Sequence, residues 1–135
     1  FHMLVSTPEA NLSESMWSFM KQTSWWLTTS GNRINQTYGQ RYFRSLVTTP
    51  HYFMHAYKYV YANPVKAGFV NRVENYPYST LQGLLGFEKL EIPVIEDKLL
   101  FEDTENILKW LNREVRDENW KSVKLALQKR EFKLA

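Results

Sequence analysis

The chain contains no cysteine, which removes disulfides, zinc–thiolate centres and cysteine nucleophiles from consideration and fits a reducing cytoplasm. No uninterrupted apolar run approaches the roughly 20 residues that span a bilayer, and no basic-then-apolar leader opens the chain, so neither a membrane partner nor secretion is expected. Only five glycines and five prolines punctuate 135 residues. No low-complexity segment or internal repeat is visible, and the length suits one domain with a modest core rather than two independent ones. Acidic residues are scarce in the first part. Residues 1–90 hold four Glu against eight Lys and Arg, whereas residues 91–135 hold ten acids against nine bases.

Aromatic residues are abundant and uneven, 17 of the 21 falling before residue 91. A basic, aromatic-rich region suits single-stranded nucleic acid, because cations track phosphates and rings stack on unpaired bases. A well-packed core under an ordinary solvated surface explains the same composition.

The stretch Tyr57 to Val70 carries the densest chemistry. Thr49 can cap a helix with Pro50 at its first position, and Pro64 predicts its end near Ala62. At 3.6 residues per turn His55, Tyr59 and Asn63 share one stripe. Phe53, Tyr57, Val60 and Tyr61 cover the neighbouring faces, which predicts a helix buried on one side with its polar stripe facing a groove. A tyrosine-rich core helix that happens to end at Asn-Pro fits this periodicity equally.

Phe1 to Val5 reads as a strand fragment. A helix is expected from Asn11 or Ser13 to about Thr29, with Leu12, Met16, Phe19, Met20 and Thr23 on one side. Trp17, Trp25 and Trp26 add apolar mass, and the adjacent pair cannot both face the same way, so one of them is a candidate stacking surface although core is the commoner use of tryptophan. Gln40 to Val47 reads as a strand whose Arg41 and Arg44 point to opposite faces. A short helix capped by Ser79 follows. Later helices are expected over Asp103–Glu114, with Ile107, Leu108, Trp110 and Leu111 apolar, and over Asp117–Lys129, with Trp120, Val123, Leu125 and Leu127 apolar.

Several blocks resemble one family. Tyr59-Val60-Tyr61-Ala62-Asn63-Pro64-Val65-Lys66-Ala67-Gly68-Phe69-Val70 is similar to the "RYIHLNPVRAGLV" block of the REP-associated tyrosine transposases, which belong with the single-tyrosine HUH transposases of small bacterial insertion sequences. Phe1-His2-Met3-Leu4-Val5 resembles the end of the "NHFHLLV" strand, and Asn11 to Met16 the start of the next helix. Gly39 to Ser45 resembles "GQGRFKS", and Asn75 to Thr80 the "DYPWSS" block at matching spacing. These blocks occur in order over residues 1 to about 85.

The resemblance implies an α+β fold, a ferredoxin-like antiparallel sheet with helices on one face. Its first strand would be missing, and the first histidine of the His-x-His pair would fall two positions before His2, ahead of Phe1. Residues 1–90 would form an HUH transposase-like catalytic domain and residues 91–135 a C-terminal helical extension packed on it. By position, Tyr59 matches the nucleophile, and His2 and Asn63 match metal-binding residues for Mg²⁺ or Mn²⁺. Tyr57 and Tyr61 are rival tyrosines on an adjacent face. Arg41, Arg44, Lys58, Lys66, Arg33 and Lys21 are candidate phosphate contacts.

The implied activity is metal-dependent cleavage and transfer of single-stranded or hairpin DNA through a 5′-phosphotyrosine, by a monomer or a homodimer. A phenol with a pKa near 10 needs a nearby cation or base to act as a nucleophile at neutral pH. A non-catalytic binder of hairpin or single-stranded DNA is the main alternative, and a protein-interaction module a third.

Overall fold

A computed structural model describes residues 1–31, 37–90 and 92–134. The chain divides into two compact units, one built from Phe1–Leu4 and Ser45–Ala135 and the other from Val5–Arg44. No helix among the described residues is long and apolar enough to cross a membrane.

The smaller unit is organised on α1, Leu12–Gly31, which starts directly after Asn11. A turn precedes it, closed by the Ala10 N–H on the Thr7 carbonyl with Ala10 in the left-handed region. Met16 is its buried residue. Tyr38 and Tyr42 hold the later part of this unit to the helix, through hydroxyl contacts with Thr23 Oγ1 at 2.8 Å and Ser13 Oγ at 3.1 Å.

The larger unit is built around α2, Pro50–Lys66. Thr49 is extended and its hydroxyl accepts the Tyr52 N–H at 3.1 Å, which satisfies one of the orphan donors of the first turn. After a 3₁₀ turn at Val73–Asn75 come four short helices: α3, Thr80–Leu84; α4, Lys98–Glu102; α5, Thr104–Asn112; and α6, Asp117–Leu127. The side chains of Ser79, Asp97 and Asp103 cap α3, α4 and α5. Helices α5 and α6 and the 3₁₀ turn all contact α2.

Two apolar clusters lie on different sides of α2. Tyr57 and Ala62 join Val73, Leu81, Leu100 and Leu111 in one. Tyr59 joins Val123, Ala126 and Phe132 in the other. Tyr57 and Tyr59 are two residues apart, about 200° around a helix, so one element serves both clusters.

The ferredoxin-like sheet expected from the resemblance is absent: the described residues form helices and no β-strand. Strand-like composition does not make a strand without a neighbour to take its N–H and C=O groups. Phe1 to Val5 has no regular secondary structure, and Phe1 and Val5 are exposed. Of Gln40–Val47, only Leu46 pairs, in an isolated parallel bridge with Glu131. Its N–H donates to the Arg130 carbonyl and its carbonyl accepts the Phe132 N–H, both at 2.9 Å.

Helix α2 also runs a full turn beyond its expected end at Ala62, with Pro64 inside it. Proline cannot donate to the carbonyl of Val60, but only one intrahelical bond is lost so near the end. The Phe69 N–H returns to the Pro64 carbonyl at 3.0 Å, and Gly68, at φ +77°, turns the chain away. Other departures are local. Phe53 and Leu125 are exposed rather than core, and Ala126 takes the inward place.

Candidate functional site

The larger unit brings His2, Tyr59 and Asn63 together. Asn63 follows Tyr59 by one turn of α2, and its amide reaches the Tyr59 phenol. From the other end of the sequence, the His2 ring meets Tyr59 edge-on, with centroids 5.4 Å apart and planes at 78°. His2 approaches on a segment without regular secondary structure rather than on a sheet strand.

The groove expected beside this stripe is filled. Tyr59 is only 5% exposed. The indole of Trp120, from α6, stacks on its ring at 4.5 Å and 25°, with Val123, Ala126 and Phe132 completing the cover. Burial pushes the Tyr59 phenol above its ordinary value, and the Asn63 amide pulls it partly back, as a donor to the phenolate does. Burial holds the His2 imidazole below its ordinary range.

The rival tyrosines face the other cluster. The Tyr57 hydroxyl donates to Asp97 Oδ2 at 2.7 Å, and burial first and this bond second drive its pKa strongly upward. The same carboxylate caps α4 through the Leu100 N–H, so it is fixed at both oxygens. Tyr61 packs edge-on to Tyr57 at 4.9 Å with its hydroxyl 3.3 Å from Thr80 Oγ1, and burial raises it too. His51 and His55, one turn apart, hold their rings at 4.7 Å. Burial, then His51, lowers the His55 pKa.

Two of the candidate phosphate contacts are engaged within the unit. Lys58 Nζ donates to the carbonyls of Trp110 at 2.5 Å and Arg113 at 3.0 Å and lies 5.0 Å from the Trp110 ring centre. These bonds complete the C-terminus of α5, where a cation complements the helix dipole. Burial and then Arg113 lower the Lys58 pKa. Lys66 pairs with Asp117 at 2.5 Å, at the first turn of α6. Arg41, Arg44 and Lys21 are exposed residues of the smaller unit, and Arg33 lies outside the described residues.

Among the described residues no three His, Asp or Glu side chains gather as a ready-made metal site. Of the two expected ligands, the Asn63 amide oxygen is of the type that Mg²⁺ takes, whereas the His2 ring nitrogen is of a type more usual for transition ions.

Sequence reasoning named Trp120 only as an apolar residue of its helix and did not mark Asp97 at all. Neither residue carries a local signal of its α2 partner. Comparison with protein-family models, curated proteins and solved structures gives no match.

Proposed function

We propose that the α2 stripe is a single-tyrosine cleavage site for single-stranded or hairpin DNA, acting in a reducing cytoplasm. The observation that carries this reading is the meeting of His2, Tyr59 and Asn63 from distant parts of the chain. Tyr59 Oη attacks the scissile phosphorus, the bond from phosphorus to the 3′ oxygen breaks, and the DNA 5′ phosphate becomes esterified to the tyrosine. The phenolic proton leaves to solvent and the departing 3′ oxygen takes one up, so the step is balanced and the 3′-hydroxyl can reverse it. Asn63 stabilises the phenolate by its N–H. His2 and Asn63 are the residues to hold Mg²⁺ or Mn²⁺, which when bound polarises the phosphate.

Burial of Tyr59 under Trp120 favours a second reading: a binder of hairpin or single-stranded DNA that does not cut. Cleavage, unlike binding, requires a phosphate to reach the Tyr59 hydroxyl beside the Trp120 indole. The two readings separate in one assay, incubation with a labelled hairpin oligonucleotide and Mg²⁺ or Mn²⁺ followed by denaturing electrophoresis. Cleavage predicts an adduct that Tyr59→Phe abolishes and that Tyr57→Phe and Tyr61→Phe retain. DNA retention without any adduct supports the binder, and an adduct surviving Tyr59→Phe overturns the assignment.

A further inference from the structure

The solvent face of α1 has an unusual composition. Its buried residue is Met16, with Leu12, Met20, Thr23 and Leu27 partly buried on the same side. Trp17, Lys21 and Trp25 follow one another at four-residue steps, 40° apart around the helix, centred roughly opposite Met16. Trp17 is 63% exposed and Trp25 67%, with Trp26 beside them at 60%. The Lys21 ammonium lies 4.7 Å from the Trp17 ring centre, a cation–π contact that holds both groups in place. Trp25 and Trp26, with Gln22 and Thr23, line a shallow hollow of about 410 Å³.

We infer that this ring–cation–ring row is a stacking surface for unpaired bases of a single-stranded nucleic acid, Trp17 and Trp25 each receiving a base and Lys21 the phosphate between them. The two indoles are about 12 Å apart along the axis at 1.5 Å per residue, which leaves room for a backbone between the stacked bases. Electrostatics favours this occupant over an apolar protein face or a second copy of the chain. An apolar cover would strip water from the Lys21 charge without replacing it, whereas a phosphate pairs with it and releases counterions. Residues 5–44 carry four Lys and Arg against two Glu, so the unit as a whole attracts a polyanion. Ser18, Gln22, Ser24 and Thr28 around the rings keep the face wettable between bases.

The inference takes its partner from the proposed function and rests on that reading for it, but it concerns a different unit and needs no chemistry at Tyr59. The full chain is titrated with a fluorescent oligothymidylate and with a duplex of equal length, at several salt concentrations. Binding to the single strand should exceed binding to the duplex. Trp17→Ala and Trp25→Ala should each weaken it roughly five- to a hundredfold at unchanged melting temperature. Trp17→Phe should retain most of the affinity, and Lys21→Gln should lower the salt dependence by about one released counterion. Equal affinity in wild type and the Trp17→Ala, Trp25→Ala double variant overturns the proposal, as does absence of oligothymidylate binding by the wild type. Self-association that the double variant abolishes while oligothymidylate affinity is unchanged overturns it in favour of a second copy. A failed adduct assay with oligothymidylate binding intact removes the Tyr59 reading and leaves this one standing.

Discussion

Replacing Trp120 by alanine separates two consequences of one contact. The first is stability. Removing a fully buried Trp costs about 3–5 kcal/mol, and a stacked pair adds about 0.5–1.5 beyond area alone. Trp120 is only partly buried, so about 2–3 kcal/mol is expected, a fall in melting temperature of roughly 10 °C for a unit of this size. Trp120→Phe keeps a ring over Tyr59 and should lose about 1 kcal/mol. The second consequence is ionisation. Burial raises the Tyr59 pKa while Asn63 opposes it, so admitting water to the ring should bring the phenol back toward 10. The sign of the pH effect follows. A folded phenol that holds its proton more tightly than the unfolded one contributes stability below about pH 10, and that contribution fades as the pH rises through the folded pKa. Stability should therefore fall less steeply above pH 10 in Trp120→Ala than in wild type. Carbon-13 NMR of labelled tyrosines, with Tyr59 assigned by its loss in Tyr59→Phe, reads the ionisation directly. A Tyr59 pKa unchanged in Trp120→Ala, in a protein that remains folded, would show that the indole covers the ring without desolvating its hydroxyl, and the closed-site argument would fall.

Asn112 joins α5 to the 3₁₀ turn, its Oδ1 accepting the Val73 N–H at 2.9 Å and its Nδ2 donating to Glu74 Oε2 at 2.8 Å and the Leu108 carbonyl at 2.9 Å. Asn112→Ala should lower stability by about 2–3 kcal/mol in urea denaturation, because it leaves the Val73 N–H and the Glu74 Oε2 without this partner. Burial pushes the Glu74 carboxyl upward, but hydrogen bonds from Asn112, the backbone and Arg72 outweigh it and leave the pKa below the usual value. That contribution is present above the ordinary glutamate range and lost as the pH falls through the folded pKa, so Glu74→Gln should flatten the acid limb of a pH–stability curve below about pH 4.5. Phe132 is 0% exposed and stacks edge-on with Tyr52 at 5.3 Å; Phe132→Ala should cost about 3–5 kcal/mol by thermal denaturation. A Cβ at position 83 would overlap the Leu90 side chain, so Gly83→Ala should destabilise by about 1–3 kcal/mol unless Leu90 turns aside.

Features set by a few adjacent residues were the legible ones. Thr49 with Pro50 starts α2 and Ser79 caps α3, because a cap needs only its own first turn, and the helix expected from Asp103 begins at Thr104. The Tyr59–Asn63 pairing follows from helical spacing in the same way. Strand pairing of Phe1–Val5 and Gln40–Val47 depends on a neighbouring strand elsewhere in the chain, and residues with strand preference form no strand without one. Pro64 misled for a related reason: its penalty falls in the last turn of α2, where packing of Ala62 and Val65 against the Leu111 cluster outweighs one lost bond. The cover over Tyr59 was invisible because Trp120, on α6, belongs to the opposite half of the sequence. Tryptophans at 17, 25 and 26 read first as apolar mass, with one of the adjacent pair a candidate stacking surface, and all three are exposed.

The larger unit is discontinuous in sequence, with residues 1–4 returning to it only after the whole of residues 5–44 has intervened. His2 meets Tyr59 across a long separation in sequence, so that contact depends on the fold of the whole unit. One half of the proposed ligand pair is thus set by tertiary structure, while Asn63, on the same helix as Tyr59, keeps its place wherever α2 is intact.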